Sequence, residues 1–283
     1  MKEKIYRSLR IILFSLVIVA CISVMFLSTR FGHSLVVRNK ATRVSRSLTR
    51  QEAIKNQQKK TSYNAADTSS ISFRQLITAS KYPATPIGRM SVPSVNIHNS
   101  VLNGYGTKGQ NLSYGVCTVL PDRYLGKANN YVLAGHYMGN YGPAILDNLH
   151  LVKLGEPIYV TDLHKIYEYR VVNKNPAVLP QDVSVEDNQG NQSLITLITC
   201  SDFNVKKYGF GQHRTIVQGK LVKVQPATQD LLIKDELSSE IIRHNAQIKG
   251  KLWQRISLEG IEATIAIIWV IVVISLITKV WIK

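Results

Sequence analysis

Two apolar runs without a charge bracket a polar, turn-rich middle. Residues 11–28 hold no charged side chain and are flanked by Arg10 and Arg30. Residues 263–278 are also uncharged, and the apolar character extends through Val280, Trp281 and Ile282. The first run meets the span length of about 17–25 residues for a membrane helix, and the second reaches it with its flanks. A cleaved signal peptide is the alternative for the first. Its apolar core exceeds the ~7–15 residues of such peptides, and Leu27-Ser28-Thr29 makes a poor cleavage site. A buried helix of a globular domain is the alternative for the second; near-uniform apolarity with Trp269 and Trp281 favours a bilayer.

Between these runs the pattern changes several times. From residue 35 to about 60, Val36, Val44, Leu48 and Ile54 stand among basic and polar side chains, as in a surface helix or helical stalk. Residues 61–72 are rich in Ser, Thr, Asn and Ala and read as a linker. A short helix over 73–82 is expected to pack beside the next unit. Short β-type runs follow, separated by Asn103-Gly104, Pro121-Asp122 and Asp187-Asn188-Gln189-Gly190, the alternation of an all-β barrel or sandwich. Leu231, Leu232, Leu237, Ile241, Ile242, Ile248 and Leu252 predict a helix over 230–256 leading back to the second apolar run.

Charge changes the picture through its location. The formal net charge is +17, from 35 Lys and Arg against 18 Asp and Glu. Residues 29–60 hold nine basic side chains and one acidic, whereas 61–225 hold fifteen and ten. A nucleic-acid enzyme carries its basic surface on the folded domain, so no nucleic-acid partner is expected. The basic stretch suits anionic lipid or an anionic wall polymer, and equally a solvated basic helix. Counting positive charges alone would place residues 30–60 in the cytoplasm, against Lys2, Lys4, Arg7 and Arg10 at the other end.

Three cysteines, Cys21, Cys117 and Cys200, form neither a CxxC motif nor an even framework. Cys200 closes the strand-like run Thr196-Leu197-Ile198-Thr199-Cys200. Arg214 opens a second such run, Arg214-Thr215-Ile216-Val217, and His136 ends a third, Tyr131-Val132-Leu133-Ala134-Gly135-His136. A thiol, an imidazole and a guanidinium at strand ends are the parts of a Cys-His nucleophilic apparatus. A free cysteine taken alone more often packs in a core. A Cys117–Cys200 disulfide is the structural alternative.

In this order and spacing, Leu133-Ala134-Gly135-His136, Thr196-Leu197-Ile198-Thr199-Cys200 and the strand-opening Arg214 resemble the class A sortases of Gram-positive bacteria. Ile87-Gly88-Arg89-Met90-Ser91-Val92-Pro93 resembles the family's first strand. Gly155-Glu156-Pro157-Ile158-Tyr159-Val160 and Tyr167-Glu168-Tyr169-Arg170-Val171 resemble its paired middle strands. The similarity covers residues 85–222, roughly. It implies an all-β fold, a closed sortase-type β-barrel of about eight strands with short helices, flanked by N- and C-terminal transmembrane helices. The division expected is 1–30 cytoplasmic tip and first span, 31–72 basic stalk and linker, 73–225 catalytic barrel, 226–260 helical connector, and 261–283 second span.

The resemblance implies a membrane-anchored cysteine transpeptidase, an endopeptidase-type hydrolase by class. It would cut an LPxTG-type sorting signal between Thr and Gly and join the protein to a peptidoglycan precursor amine of the lipid II type. Cys200 would be the nucleophile, His136 the general acid and base, and Arg214 the substrate or oxyanion donor. Ala134, Val183, Val185, Ile198 and Thr199 match positions that line the family's substrate groove. Cys117 falls at a packing position. The substrates lie outside the cell, so the barrel is expected outside, both termini inside, and the protein multi-pass in the cell membrane among its lipids. No cofactor is implied. Asp122-Arg123-Tyr124-Leu125-Gly126-Lys127-Ala128-Asn129-Asn130 sets one carboxylate among two cations where some relatives cluster acids for calcium. Glu186 and Asp187 do not make up the deficit, so no metal requirement is expected.

Two other readings stand beside this one. The second apolar run is more typical of class C pilin polymerases, which use a Lys amine. The fourteen residues from Cys200 to Arg214 resemble the longer class A loop, and residues 61–86 contain no Asp-Pro-aromatic lid of the class C kind. A non-catalytic membrane-tethered β domain would leave Cys200, His136 and Arg214 as core residues.

Overall fold

The computed structural model describes residues 1–27, 29–65, 79–137, 145–201, 211–238 and 258–282. Its centre is a closed barrel of eight strands: β1 (Pro86–Val92), β2 (Ile97–Leu102), β3 (Val116–Thr118), β4 (Asn130–Ala134), β5 (Pro157–Thr161), β6 (Lys165–Val178), β7 (Leu194–Ser201) and β8 (His213–Pro226). The order around the barrel is β1-β2-β3-β4-β7-β8-β6-β5. Two neighbouring pairs, β2/β3 and β4/β7, run parallel, and the rest are antiparallel. The all-β expectation, the eight strands and the closure therefore hold.

Burial explains which strands read clearly. Every residue of β1 is buried, because one face meets the barrel core and the other is covered by helices. Covered in this way, β1 shows no alternation in exposure, and its buried Arg89 and Ser91 hydrogen-bond to the backbone carbonyls of Ser45 and Asp235 in the flanking segments. Strand β6 is open on one side for much of its length and alternates. Met90, Leu133, Tyr169, Ile195, Leu197 and Val217 meet in the core, each fully buried.

Helices α1 (Lys2–Leu27), α2 (Arg30–Ser47) and α3 (Arg50–Gln57) precede the barrel. Thr49 starts α3 with a reciprocal cap: its hydroxyl accepts the Glu52 N–H, and the Glu52 carboxylate accepts the Thr49 N–H. The stretch expected as a stalk lies against the barrel. Leu35, Val37, Leu48 and Ala53 are buried, while Ile54 is 49 % exposed. Val36 and Val44 also pack against the core, so of the four apolar positions read in the sequence only Ile54, beyond the turn at Leu48 and Thr49, faces away.

After the barrel, α4 (Gln229–Lys234) is much shorter than the helix predicted over 230–256. The Leu237 N–H returns to the Leu232 carbonyl and the Glu236 N–H to that of Ile233, with Glu236 at φ 55. This is a Schellman-type stop, which a Glu rarely forms. Residues 239–257 of the predicted helix, and most of the helix predicted over 73–82, lie outside the described residues. α5 (Leu258–Ile282) ends the chain.

Arg89, on β1, is 6 % exposed and ties both flanks to the barrel wall. Its guanidinium donates to the carbonyls of Ser45 and Leu48 at the end of α2 (2.7 and 3.2 Å) and of Leu237 beyond α4 (3.5 Å). Helices α1 and α5 are each long and apolar enough to cross a membrane. They touch each other: Trp269 Nε1 donates to Ser15 Oγ (3.0 Å) and Trp281 Nε1 to Ser8 Oγ (3.3 Å). In α5 only Val273 is buried among the described side chains, unlike a core helix of a globular domain.

Candidate active site

Strand direction decides which residues can meet. β4 and β7 are parallel, so their C-terminal ends share one edge of the barrel. β8 is antiparallel to β7, so its first residues reach the same edge. His136, Cys200 and Arg214 stand at these three strand ends. Cys200 pairs directly with Arg214, and Ser201 with His213. Alternation sends the side chains of successive pairs to opposite faces. His213 accordingly lies off the cavity that Cys200 and Arg214 share.

Just past β4 the chain is pinned to β7. The Gly135 N–H donates to the Ile198 carbonyl (3.0 Å), and the Thr199 hydroxyl donates to the Gly135 carbonyl (2.9 Å). A methyl group on Gly135 would come within 2.7 Å of Ile145 and 2.9 Å of Leu146, so glycine is required for this close approach. His136 follows immediately, its carbonyl accepting the Leu146 N–H (3.3 Å). Gly211 covers Cys200 from the other side; a methyl there would sit 2.8 Å from the cysteine Cβ.

The electrostatics favour a neutral resting pair. Burial pushes the Cys200 thiol above its ordinary pKa, while the Arg214 charge and the Gly211 N–H act in the opposite direction. Burial also pushes the His136 imidazole down to about 4. Arg214 Nη1 donates to the Gly211 carbonyl (2.9 Å) and the His213 carbonyl (3.2 Å), which fixes the guanidinium plane beside Cys200.

These groups open onto a cavity of about 400 Å³. All eight residues singled out in the sequence line it: Ala134, His136, Val183, Val185, Ile198, Thr199, Cys200 and Arg214. Thr199 is 3 % exposed and its hydroxyl is engaged with Gly135, so it fixes the wall more than it offers a contact. Cys117 is fully buried in β3, and all three cysteines are free thiols, so no Cys117–Cys200 disulfide exists. Among the described residues, no three His, Cys, Asp or Glu side chains gather as a metal site would require.

Sequence reading missed Tyr105, Leu112, Val119 and Glu186 on the same walls. Tyr105 and Leu112 sit in the irregular connection between β2 and β3, which has no periodicity to read. It is folded inward by the buried Asn111 side chain, which donates to the Thr85 hydroxyl (2.7 Å) and to the Asn103 and Gly104 carbonyls (3.0 Å each).

Residues 90–222 match the family model described as Sortase domain. Sortase A of Listeria monocytogenes serovar 1/2a is 36 % identical over 149 residues, which are 51 % of this chain and 60 % of that protein. Sortase A of Streptococcus agalactiae serotype III is 33 % identical over 153 residues, 52 % of this chain and 61 % of that one. A Bacillus subtilis (strain 168) protein with a sortase name, YwpE, is 38 % identical over 105 residues, 36 % of this chain and 90 % of its own length. This chain therefore spans about three fifths of the two sortase A proteins it matches.

Proposed function

The chain belongs to the sortase family, and from that premise we propose a membrane-anchored cysteine transpeptidase acting on surface proteins with an LPxTG-type signal. The observation that carries this reading is the convergence of three strand ends, bearing Cys200, His136 and Arg214, on one cavity.

In this mechanism the Cys200 thiol passes its proton to His136 as its sulfur attacks the Thr carbonyl carbon of the sorting signal, and the Thr–Gly bond breaks once the carbon–sulfur bond has formed. His136 gives its proton to the departing glycine amine. The incoming amine, of a lipid II-type wall precursor, gives a proton to His136 as it attacks the thioacyl carbon. The carbon–sulfur bond then breaks, and one amide has replaced another with no net consumption of water. Arg214 offers the N–H groups not used on Gly211 and His213 to the substrate backbone or to the charge developing on the carbonyl oxygen.

Two membrane passages complete the reading. Ser15 meets Trp269 and Ser8 meets Trp281, so α5 runs antiparallel to α1. That pairing supports a multi-pass chain in the cell membrane with both termini on one side, inside, and the barrel on the other, outside. Lys2, Lys4, Arg7 and Arg10 then share the inner face with Lys279.

The test uses the full chain in detergent, an LPxTG-type peptide, and either an oligoglycine amine or a Lys-bearing acceptor. Intact-protein mass spectrometry should find the acyl adduct on Cys200 and transfer to the oligoglycine. An adduct on Cys117 alone would favour a scaffold role, and transfer only to the Lys acceptor would favour pilin polymerisation.

A further inference from the structure

The connection from β6 to β7 carries an acid that the mechanism leaves unused. Glu186 ends the single 3-10 turn Ser184–Glu186 and lines the same cavity as Cys200. Val183 and Val185 stand beside it on that wall, with exposed Asp182 at the rim, and Leu112, Val119 and Ile216 line the cavity elsewhere. A half-buried carboxylate in such surroundings has lost part of its hydration and gains from a positive or hydrogen-bond-donating partner. Burial, and then the neighbouring Asp187, raise its pKa, in keeping with that environment.

The turn is held rigidly. Asn130, fully buried at the start of β4, donates through Nδ2 to the carbonyls of Val185 (2.9 Å) and Asp187 (3.2 Å), one on each side of Glu186. Its backbone N–H donates to the Asn188 side chain (2.9 Å), and its own Oδ1 accepts the Thr196 hydroxyl (2.7 Å). Core strands β4 and β7 therefore set where Glu186 stands. Tyr105, 4 % exposed, lines the same cavity, and the Glu186 charge is felt at its phenol. The described cation of this cavity, Arg214, is directed to Gly211 and His213. Among the described residues no basic side chain lies within ion-pair distance of Glu186.

We propose that Glu186, with Tyr105 lining the same cavity, forms a polar subsite that selects a basic side chain on the acyl-donor peptide, upstream of the bond Cys200 attacks. This rests on the transpeptidase reading and adds a substrate preference to it. A peptide with Lys or Arg at the position seated by Glu186 brings its own counter-charge into the cavity. A Glu at that position meets a like charge where water screens it poorly.

The experiment compares LPxTG-type peptides that differ only by Lys, Gln or Glu at the variable position, and a second set varied at the residue before the Leu. The full-length protein in detergent is assayed as wild type, Glu186→Gln and Glu186→Lys. In one of the two sets the wild type should turn over the Lys peptide with kcat/KM about tenfold above the Glu peptide, the gap narrowing as salt rises. Glu186→Gln should bring the three peptides together, and Glu186→Lys should reverse their order. A merely structural role for Glu186 would lower all three peptides alike. Turnover of the Gln peptides with no charge ranking in either set overturns this subsite and leaves the transpeptidase reading standing. Absence of any turnover or acyl adduct with every peptide overturns both.

Discussion

Cys200 and Arg214 face each other as direct partners in the antiparallel ladder of β7 and β8. The cation is thus placed by backbone hydrogen bonds, and its plane is set by Gly211 and His213. A lysine would keep the charge and lose the planar fork. Arg214→Lys should lower peptide turnover about a hundredfold, as for loss of one oxyanion donor. Burial is the largest influence on the Cys200 thiol, so its alkylation profile against pH should barely move. Iodoacetamide reactivity measured beside peptide turnover separates the two roles: a shifted profile with near-normal turnover would refute the directed one.

The thiols themselves make a second comparison. Cys200→Ala should abolish cleavage and transfer, because a serine or threonine nearby has no comparable acidity. Cys117 is fully buried in β3 with its pKa raised by burial, so Cys117→Ala should keep most activity. Equal loss at both positions in a peptide-cleavage assay would mean that the wrong thiol has been assigned.

The pH profile follows from two opposed shifts. The reaction needs the Cys200–His136 pair to hold one proton between them. The pair gains a second proton below the His136 pKa of about 4 and loses its last above the raised thiol pKa. kcat/KM should therefore rise through an acid limb well below the free-imidazole value of about 6.5, stay flat through neutrality, and fall only above the ordinary thiol pKa of about 8.5. Stopped-flow peptide cleavage from pH 4 upward would show it. An acid limb near 6.5 would mean His136 is solvated in the working enzyme.

Calcium should leave turnover of the full-length protein in detergent unchanged relative to chelator. Such sites need several oxygen ligands, and Asp122 stands with Arg123 and Lys127 in its own loop. A large stimulation by millimolar calcium would contradict this.

The barrel and its reactive edge were legible because their signals are local. Thr196 to Cys200 and Tyr131 to His136 read as strand-like runs, and the candidate site residues sit where they end. That the ends share one edge depends on β4 and β7 running parallel, which no spacing in the sequence shows. Tyr105 and Leu112 were illegible because Asn111, a polar residue in an irregular segment, turns them inward through long-range hydrogen bonds. In the sequence Glu186 counts only as an acid too few to make up a calcium site; its place in the cavity depends on Asn130, more than fifty residues earlier in the chain. The early stop of α4 came from Glu236 adopting a left-handed conformation that residue type alone argues against.

The Arg89 clamp has a practical consequence for anyone wishing to work without the membrane. Trimming at the first and last strands would delete Ser45, Leu48 and Leu237 together and leave a guanidinium facing a bare wall. The guanidinium would then turn to water, while the apolar wall that the same helices cover would be exposed along with it, at a cost that scales with the area uncovered. A soluble version should instead begin near Thr29 and continue through Ser238, keeping the three carbonyls that hold the side chain. The smallest piece expected to fold well is larger than the barrel that carries the candidate site.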